Sequence, residues 1–200
     1  MTGLTLHEVG GLGAVPDLAA ARAAVLHARP GDEDHEAARA RILAFLDAHP
    51  DALHRSCRNG HLTGSALVVD PASRRVLLLF HAKVRRWLQP GGHADGDGCL
   101  AHVALREASE ETGIAGLAVV TPAIDLDVHL FRSATGAEPD HLHLDVRHLV
   151  VAPPGATALT NHESHAHAWV GADDLARYQV DRGTVRMVAA GLRALDELAG

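Results

Sequence analysis

The sequence contains few cysteines and few aromatic residues. Cys57 and Cys99 are the only cysteines in 200 residues, and two thiols do not form the disulfide framework of a small secreted protein. We therefore expect a reducing, cytoplasmic environment. Aromatic residues make up 3% of the chain, so Trp87 and Trp169 stand out as positions that a structure must explain.

The sequence also lacks long apolar runs and an excess of positive charge. No run approaches the roughly 20 apolar residues that a membrane-spanning helix needs. The N-terminus MTGLTLHEVGG has neither the basic start nor the apolar core of a signal peptide. The formal net charge of −7 argues against a nucleic-acid polymer as partner. An acidic chain can still bind a polyphosphate if a metal ion supplies the local positive charge.

The first 55 residues predict a helical extension. Residues 16–28 and 32–48 read as two helices separated by the break RPGDED, and Pro16 suits a first helical turn. The second helix offers an apolar face for docking. We expect residues 1–55 to pack on a main domain at residues 56–200, where they could cap a pocket, form a homodimer interface or cover a sheet.

Beyond residue 60 the sequence predicts strands on both sides of one central helix. The runs LTGSALVVD and RRVLLLF flank the turn DPAS and predict a hairpin. The central helix follows at about residues 98–112, and Gly113 is a natural helix stop. Further strand patterns are LAVVT, IDLDVHLF, HLHLDVRHLVVA and AHAWVG, and residues 181–199 predict a closing amphipathic helix. This order indicates a mixed α/β sandwich.

An apolar stripe along the central helix continues in carboxylates. Steps of three or four residues connect Leu100, Val103, Ala104, Glu107 and Glu111. Burying clustered carboxylates costs several kcal/mol unless a cation compensates them, and hard oxygen ligands suit Mg²⁺ or Mn²⁺. The pattern therefore predicts a metal site that meets the phosphates of a substrate. The alternative is a solvated face in which Arg106 pairs with Glu110.

The glycine turn and the helix REASEETGI resemble the signature of the Nudix family. The matching positions are Gly92, Arg106, Glu107, Ala108, Glu110, Glu111, Gly113 and Ile114. The resemblance covers roughly residues 60–180 through the order of strands around the signature. It implies a Nudix-type α/β/α sandwich and metal-dependent hydrolysis of a diphosphate linked to another moiety. The metal ligands it implies are the carbonyl of Gly91 and the side chains of Glu107, Glu110 and Glu111, while Arg106 would orient a glutamate.

One signature position departs from the family pattern. The first glutamate should fall at residue 98, where this chain has Gly98. In the family this residue helps to hold the metal-bearing loop and sometimes the metal. Asp95 and Asp97 lie on the same loop as possible replacements. The departure keeps an alternative open, a catalytically weakened domain that senses a nucleotide or a sugar diphosphate.

Two later strand patterns place polar residues on one face. The polar positions are Asp125, Asp127 and His129 in the first strand, and His141, His143, Asp145 and Arg147 in the second. If the two strands are neighbours, these faces could share a pocket. The alternative is a sheet side that faces solvent, as alternating patterns usually do.

A looser similarity connects a few histidines with isopentenyl diphosphate isomerases, which share the Nudix fold. These enzymes bind an additional metal through histidines and acids. The ligand set that this similarity implies here is His54, His61, His93, His143 and Asp145. Such a cluster favours a transition metal and leaves an isomerase-like activity as a further alternative. The isomerase reaction is disfavoured because its essential cysteine falls at Gly91.

The remaining candidates concern the general base and substrate binding. Glu163, just before the last strand, is the first candidate for the base, and His165 and His167 are its rivals because a neutral imidazole accepts a proton near pH 7. The candidates for binding substrate are Lys83, Arg85, Arg86, Trp87, Asp127 and His129. Trp87 has an alternative role as a core residue, and the others could instead lie in exposed loops.

Overall fold

The computed structural model describes residues 3–132, 139–159 and 164–200. Its N-terminal region contains α1 (Leu18–His27) and α2 (Glu33–Ala48). Each helix begins after an aspartate whose side chain accepts a hydrogen bond from a backbone N–H of the first turn, Asp17 for α1 and Asp32 for α2. This N-capping satisfies amide groups that have no partner within the helix.

The strands form one mixed sheet. Their bounds are Thr5–Glu8 (β1), Gly60–Asp70 (β2), Arg75–His81 (β3), Trp87–Leu88 (β4), Gly91–His93 (β5), Ala118–Thr121 (β6), Asp125–Phe131 (β7), His141–Val151 (β8) and Ser164–Val170 (β9). The order across the sheet is β1-β6-β8-β2-β3-β4, with β5 paired to β2, β7 to β8 and β9 to β3. The central pair β2–β8 is parallel, and the predicted β2–β3 hairpin is antiparallel.

Helices cover both faces of this sheet, which confirms the expected sandwich. On one face lies α3 (Leu100–Thr112), whose Leu100 and Val103 share a core with Leu62 of β2. On the other face lies α4 (Arg182–Ala199), preceded by a 3₁₀ helix at Ala172–Tyr178. Because side chains alternate along a strand, β2 contributes to both cores. Among the residues described, no helix is both long enough and apolar enough to span a bilayer.

The N-terminal region is continuous with this architecture. Strand β1, which the sequence did not predict, pairs with β6 at one edge of the sheet. Apolar residues of α1 and α2, among them Val25 and Ile42, are fully buried in the same core as Val103 of α3. The N-terminal region therefore contributes to the core on which the central helix rests.

Two details of α3 follow from its ends. Gly113 adopts a left-handed conformation with φ 63° and donates its N–H to the carbonyl of Ser109, as predicted for a helix stop. The helix begins at Leu100 rather than near residue 98. The N–H of Gly98 donates instead to the carbonyl of Val15, so this residue belongs to the preceding loop.

Candidate metal and phosphate site

The carboxylates of α3 lie against the glycine turn formed by β5. The side chain of Glu111 is 8% exposed, and its Oε2 accepts a hydrogen bond of 3.2 Å from the N–H of Gly91. The carboxylate of Glu107 lies so close to Gly92 that a Cβ there would be 2.3 Å from its Cδ. Glu110, which directly precedes Glu111 in α3, is exposed. The carboxylate oxygens of Glu107 and Glu111 therefore pack directly against the glycine turn, and such hard oxygen donors suit a Mg²⁺ or Mn²⁺ ion.

Arg106 holds one of these carboxylates in place. Its guanidinium donates to Oε1 of Glu107 at 2.7 Å and to the carbonyl of His93 at 3.2 Å. A guanidinium that bonds both a helix side chain and the β5 backbone fixes their relative position. Arg106 therefore donates to Glu107 within the site, which places its guanidinium at the glycine turn rather than on a solvated helix face.

The loop between β5 and α3 uses its acids for internal contacts. Asp97 is 5% exposed and accepts hydrogen bonds from the N–H groups of Val15 and Cys99 at 2.9 and 2.8 Å. Asp95 is exposed and pairs with Arg55 at 2.7 Å. Both carboxylates therefore have protein partners, and neither stands in for the missing glutamate as an uncommitted metal ligand.

Three histidines converge on the other face of the sheet. One ring nitrogen from each of His61, His93 and His143 lies within 4.8 Å of the other two. His61 is 3% exposed, and neither of its ring nitrogens has a hydrogen-bond partner among the described residues. His141 joins the edge of this group, because its Nε2 lies 3.2 Å from Nε2 of His143. We call His61, His93 and His143 the histidine cluster.

The histidine cluster is electrically neutral at physiological pH. Burial, together with the positive charge of Arg55, lowers the pKa of His93 to about 4. Burial and the neighbouring His129 lower the pKa of His143 to about 2, and burial also lowers the pKa of His61. Neutral imidazoles are the form that coordinates a metal ion.

Two residues of the ligand set implied by the isomerase similarity lie outside the histidine cluster. His54 is exposed. Asp145 is 1% exposed, and its carboxylate accepts hydrogen bonds from Thr63 and Ser65 and from the guanidinium of Arg147. The similarity placed Asp145 next to His143 on the correct strand face but could not show that three donors occupy its oxygens.

The polar faces of β7 and β8 meet, as the pocket interpretation requires. The two strands are antiparallel neighbours, with Asp127 opposite Asp145 and His129 opposite His143. Arg147 is 2% exposed and forms ion pairs with Asp125, Asp127 and Asp145 at 2.8 to 3.2 Å. The alternative of a solvent-facing sheet side is therefore wrong for this part of the sheet.

Two residues from outside the sheet complete this network, and neither was predicted from the sequence. Arg186 of α4 bonds Asp125 and Asp127, and His35 of α2, 1% exposed, bonds Asp125 at 3.2 Å. Burial raises the pKa of Asp127, but the hydrogen bond from His129 and the charge of Arg147 outweigh it, and the net pKa lies well below the ordinary value. For Arg186, the sequence does offer a signal, because this arginine lies next to the buried Met187 in α4.

The other candidates are scattered. Glu163 lies outside the described residues. His165 is exposed at the start of β9, and His167 is half-buried with an Nδ1 that has no partner in the described part of the chain. The side chains in the turn before the glycine turn are exposed, namely Lys83, Arg85 and Arg86. Trp87 packs edge-on against Tyr178, with ring centroids 5.0 Å apart, and against Phe80, which is the core role that the sequence left open.

Comparison with known proteins accounts for this arrangement. An Ap4A hydrolase from C. elegans, solved as a binary complex, is 15% identical with a TM-score of 0.52, over 68% of this chain and 98% of the other. The E. coli dihydroneopterin triphosphate pyrophosphohydrolase is 14% identical with a TM-score of 0.53, over 66% and 95%. These likenesses show a shared fold.

A search of curated protein sequences finds no match. The NUDIX domain model matches residues 61–190, and the chain belongs to the Nudix family.

Proposed function

We propose that this Nudix pyrophosphohydrolase cleaves a phosphoanhydride bond in a nucleoside diphosphate-linked or similar small molecule, with Mg²⁺ or Mn²⁺ as its cofactor. The observation that carries the proposal is the position of Glu111. Its carboxylate is nearly buried where the apolar stripe of α3 ends, and it accepts a hydrogen bond from the glycine turn. Its oxygens are hard donors beside the turn, of the kind that Mg²⁺ and Mn²⁺ prefer, which supports a metal-binding role.

The residues have distinct roles in this proposal. The carbonyl of Gly91 and the carboxylates of Glu107, Glu110 and Glu111 hold the cation, and Arg106 orients Glu107. The bound cation supplies Lewis acidity and counter-charge for phosphoryl transfer to water. Glu163, His165 or His167 accepts the proton of the attacking water. Arg85 and Arg86, which are exposed, bind phosphate, and the exposed His129 contacts the remainder of the substrate. Trp87 packs against Tyr178, and Asp127 is paired with Arg147 and Arg186, so neither is assigned to the substrate.

The test is turnover of a panel of diphosphates, with Mg²⁺ and Mn²⁺ each supplied, by wild-type protein and by Glu111→Gln. The substitution removes one negative charge and keeps the side-chain shape, so we expect kcat to fall by about 100-fold or more. Glu33→Gln, on the exposed first turn of α2, is the matched control and should leave kcat unchanged. Equal rates in wild-type protein and Glu111→Gln would overturn the proposal.

Gly98 favours a second candidate function, a sensor that binds a nucleotide or a sugar diphosphate without cleaving it. Calorimetric binding of such a ligand, with no product released over hours in either metal, would support the sensor. Turnover that disappears in Glu111→Gln would exclude it.

We also propose a transition metal at the histidine cluster. The convergence of three neutral imidazoles supports this, as does the absence of partners for both nitrogens of His61 in the described chain. Imidazole donors suit zinc and similar ions. We expect the purified protein to hold such a metal, measured by mass spectrometry, and expect His61→Asn and His93→Asn to lose it. His27→Asn, on the exposed end of α1, is the control, and unchanged metal content in all three variants would exclude the site.

We also propose that the protein is cytoplasmic and forms a homodimer. Cys57 and Cys99 are both free thiols, which supports a reducing environment. Sedimentation equilibrium measures the oligomeric state, and a monomer at micromolar concentration would remove the homodimer from the proposal.

A further inference from the structure

Position 98 lies directly beneath the main chain of residues 15–17, which we call the N-terminal strap. The N–H of Gly98 donates to the carbonyl of Val15 at 2.6 Å. A Cβ at Gly98 would lie 2.0 Å from the carbonyl oxygen of Asp17 and 3.1 Å from that of Val15. Backbone atoms cannot turn aside as the end of a flexible side chain can. Any side chain at position 98, including the glutamate of the Nudix signature, would therefore displace the strap.

Asp97 fastens the strap to the loop and to α3. Its Oδ1 accepts hydrogen bonds from the N–H groups of Val15 and Cys99 at 2.9 and 2.8 Å. Its Oδ2 lies 2.7 Å from Nδ1 of His102 in the first turn of α3. One buried carboxylate thus joins three segments of the chain, and hydrogen bonds to a charged acceptor are stronger than those between neutral groups.

The strap is itself anchored at its far end. The side chain of Asp17 caps α1 by accepting from the N–H of Ala19 at 2.8 Å, and α1 buries Ala21 and Val25 completely in the core. A second contact nearby, from the N–H of Gly96 to the carbonyl of Leu53 at 2.9 Å, ties the same loop to the N-terminal region. The loop at 94–99 is therefore held against a fixed part of the molecule.

This loop connects the two halves of the metal site. Its N-terminal end continues from the glycine turn that contacts Glu107 and Glu111, and its C-terminal end leads into the helix that carries them. A shift of the loop would change the distance between the turn and the carboxylates.

We propose that Asp97, clamped to the N-terminal strap, is a positioning residue that sets the glycine turn against the carboxylates of α3. Gly98 is then a consequence of the strap's close approach, and the N-terminal region is part of the hydrolytic apparatus. This inference rests on the proposed function, because Asp97 would position the site that binds Mg²⁺ or Mn²⁺.

The experiment measures Mn²⁺ affinity without substrate, by electron paramagnetic resonance, together with kcat and KM. In Asp97→Ala we expect the Mn²⁺ dissociation constant to rise and kcat to fall, by about 10-fold or more, while KM stays within about twofold. Asp97→Asn keeps an oxygen that can accept from Val15 and Cys99, and should recover most of the affinity. Asp95→Asn removes a carboxylate from the same loop without touching the strap, and should bind Mn²⁺ like the wild type.

Gly98→Glu provides the opposite test. If the glycine were only a lost ligand, restoring the glutamate of the signature would strengthen Mn²⁺ binding and raise kcat. We expect both to fall, and hydrogen exchange of residues 91–99 to become faster, because the strap is displaced. Improved binding in Gly98→Glu, or wild-type affinity in Asp97→Ala, would overturn this inference while leaving the proposed hydrolase intact. Wild-type protein that neither binds Mn²⁺ nor turns over any diphosphate would overturn the proposed function, and this inference with it.

Discussion

At the scale of single residues, Gly92 is required because of what approaches it. The carboxyl carbon of Glu107 would lie 2.3 Å from a Cβ at this position, well inside van der Waals contact. We expect Gly92→Ala to push the Glu107 carboxylate away from the turn and to lower kcat by about 10- to 100-fold. Gly171→Ala is the matched control, since the nearest atom to its added Cβ lies at 3.7 Å. Similar kcat values for the two variants would show that the close packing of Glu107 against Gly92 does not matter for activity.

His148 gives the stability of the protein a dependence on pH. It is 1% exposed, and burial lowers its pKa from 6.5 to about 4. Between pH 6.5 and about pH 4, His148 is protonated in the unfolded chain but stays neutral in the folded protein. The free energy of unfolding therefore falls as the pH falls through this range. The loss is at most about 1.4 kcal/mol per pH unit. Stability from this residue is complete above pH 6.5.

Urea denaturation at pH 7.5 and pH 5 measures this contribution. In His148→Leu no proton is taken up at this site, so we expect a shallower loss of stability between the two pH values than in the wild type. An identical slope in both proteins would show that His148 does not carry the acid sensitivity.

At the scale of elements, one arginine joins the two N-terminal helices. Arg39 of α2 donates to the carbonyl groups that end α1 and follow it, those of Val25, Leu26, Ala28 and Arg29. The last carbonyls of a helix have no partner within it, so these bonds replace water at a partly buried helix end. We expect Arg39→Met to lower the free energy of unfolding by roughly 1–3 kcal/mol.

The comparison variant is Arg22→Met, which removes an exposed ion pair with Asp47 on the same two helices. Exposed pairs contribute about 0–1 kcal/mol, so urea denaturation should show a smaller loss than for Arg39→Met. Equal losses would show that Arg39 acts only as a surface charge.

The sequence predicted elements well where the signal is local. Asp17 and Asp32 cap helices whose predicted bounds lie within two residues of those observed, and the acids of α3 were found from their helical spacing. Strand β1 was missed because four mostly exposed residues show no alternation. The bond from Val15 to Asp97 spans 82 positions, and no local pattern reports a contact of that range.

The histidines show the same limit within the candidate site. The alternation in β8 placed His143 and Asp145 on one face, and the structure pairs that face with β7. Alternation cannot say which acids already have partners, and Asp145 does. His141 also lies beside His143, a neighbour that the isomerase similarity did not include.

At the scale of the whole molecule, buried charges connect the layers of the sandwich. Asp125, 1% exposed, bonds His35 of α2, Arg147 of β8 and Arg186 of α4. Removing one partner from such a network leaves buried charges uncompensated, which costs about 3–5 kcal/mol. We expect Asp125→Ala to lose stability of that order in urea denaturation.

The control for this prediction is Asp196→Ala, which removes an exposed ion pair with Arg74. Its loss should be much smaller, because water replaces the missing partner. If the two variants were equally stable, the layers would be held by their apolar contacts alone.

The N-terminal strap and strand β1 also affect the order in which parts of the chain fold. His7 contacts Thr121 across 114 positions and Val15 contacts Asp97 across 82, so both residues are synthesised before their partners exist. Contacts between distant parts of a chain form slowly, because a large loop must close first. We expect the growing chain to carry its N-terminal residues undocked until residues 97–121 have left the ribosome. The loop between the glycine turn and α3 would then reach its final position late in folding, when a segment that was made earlier docks against it.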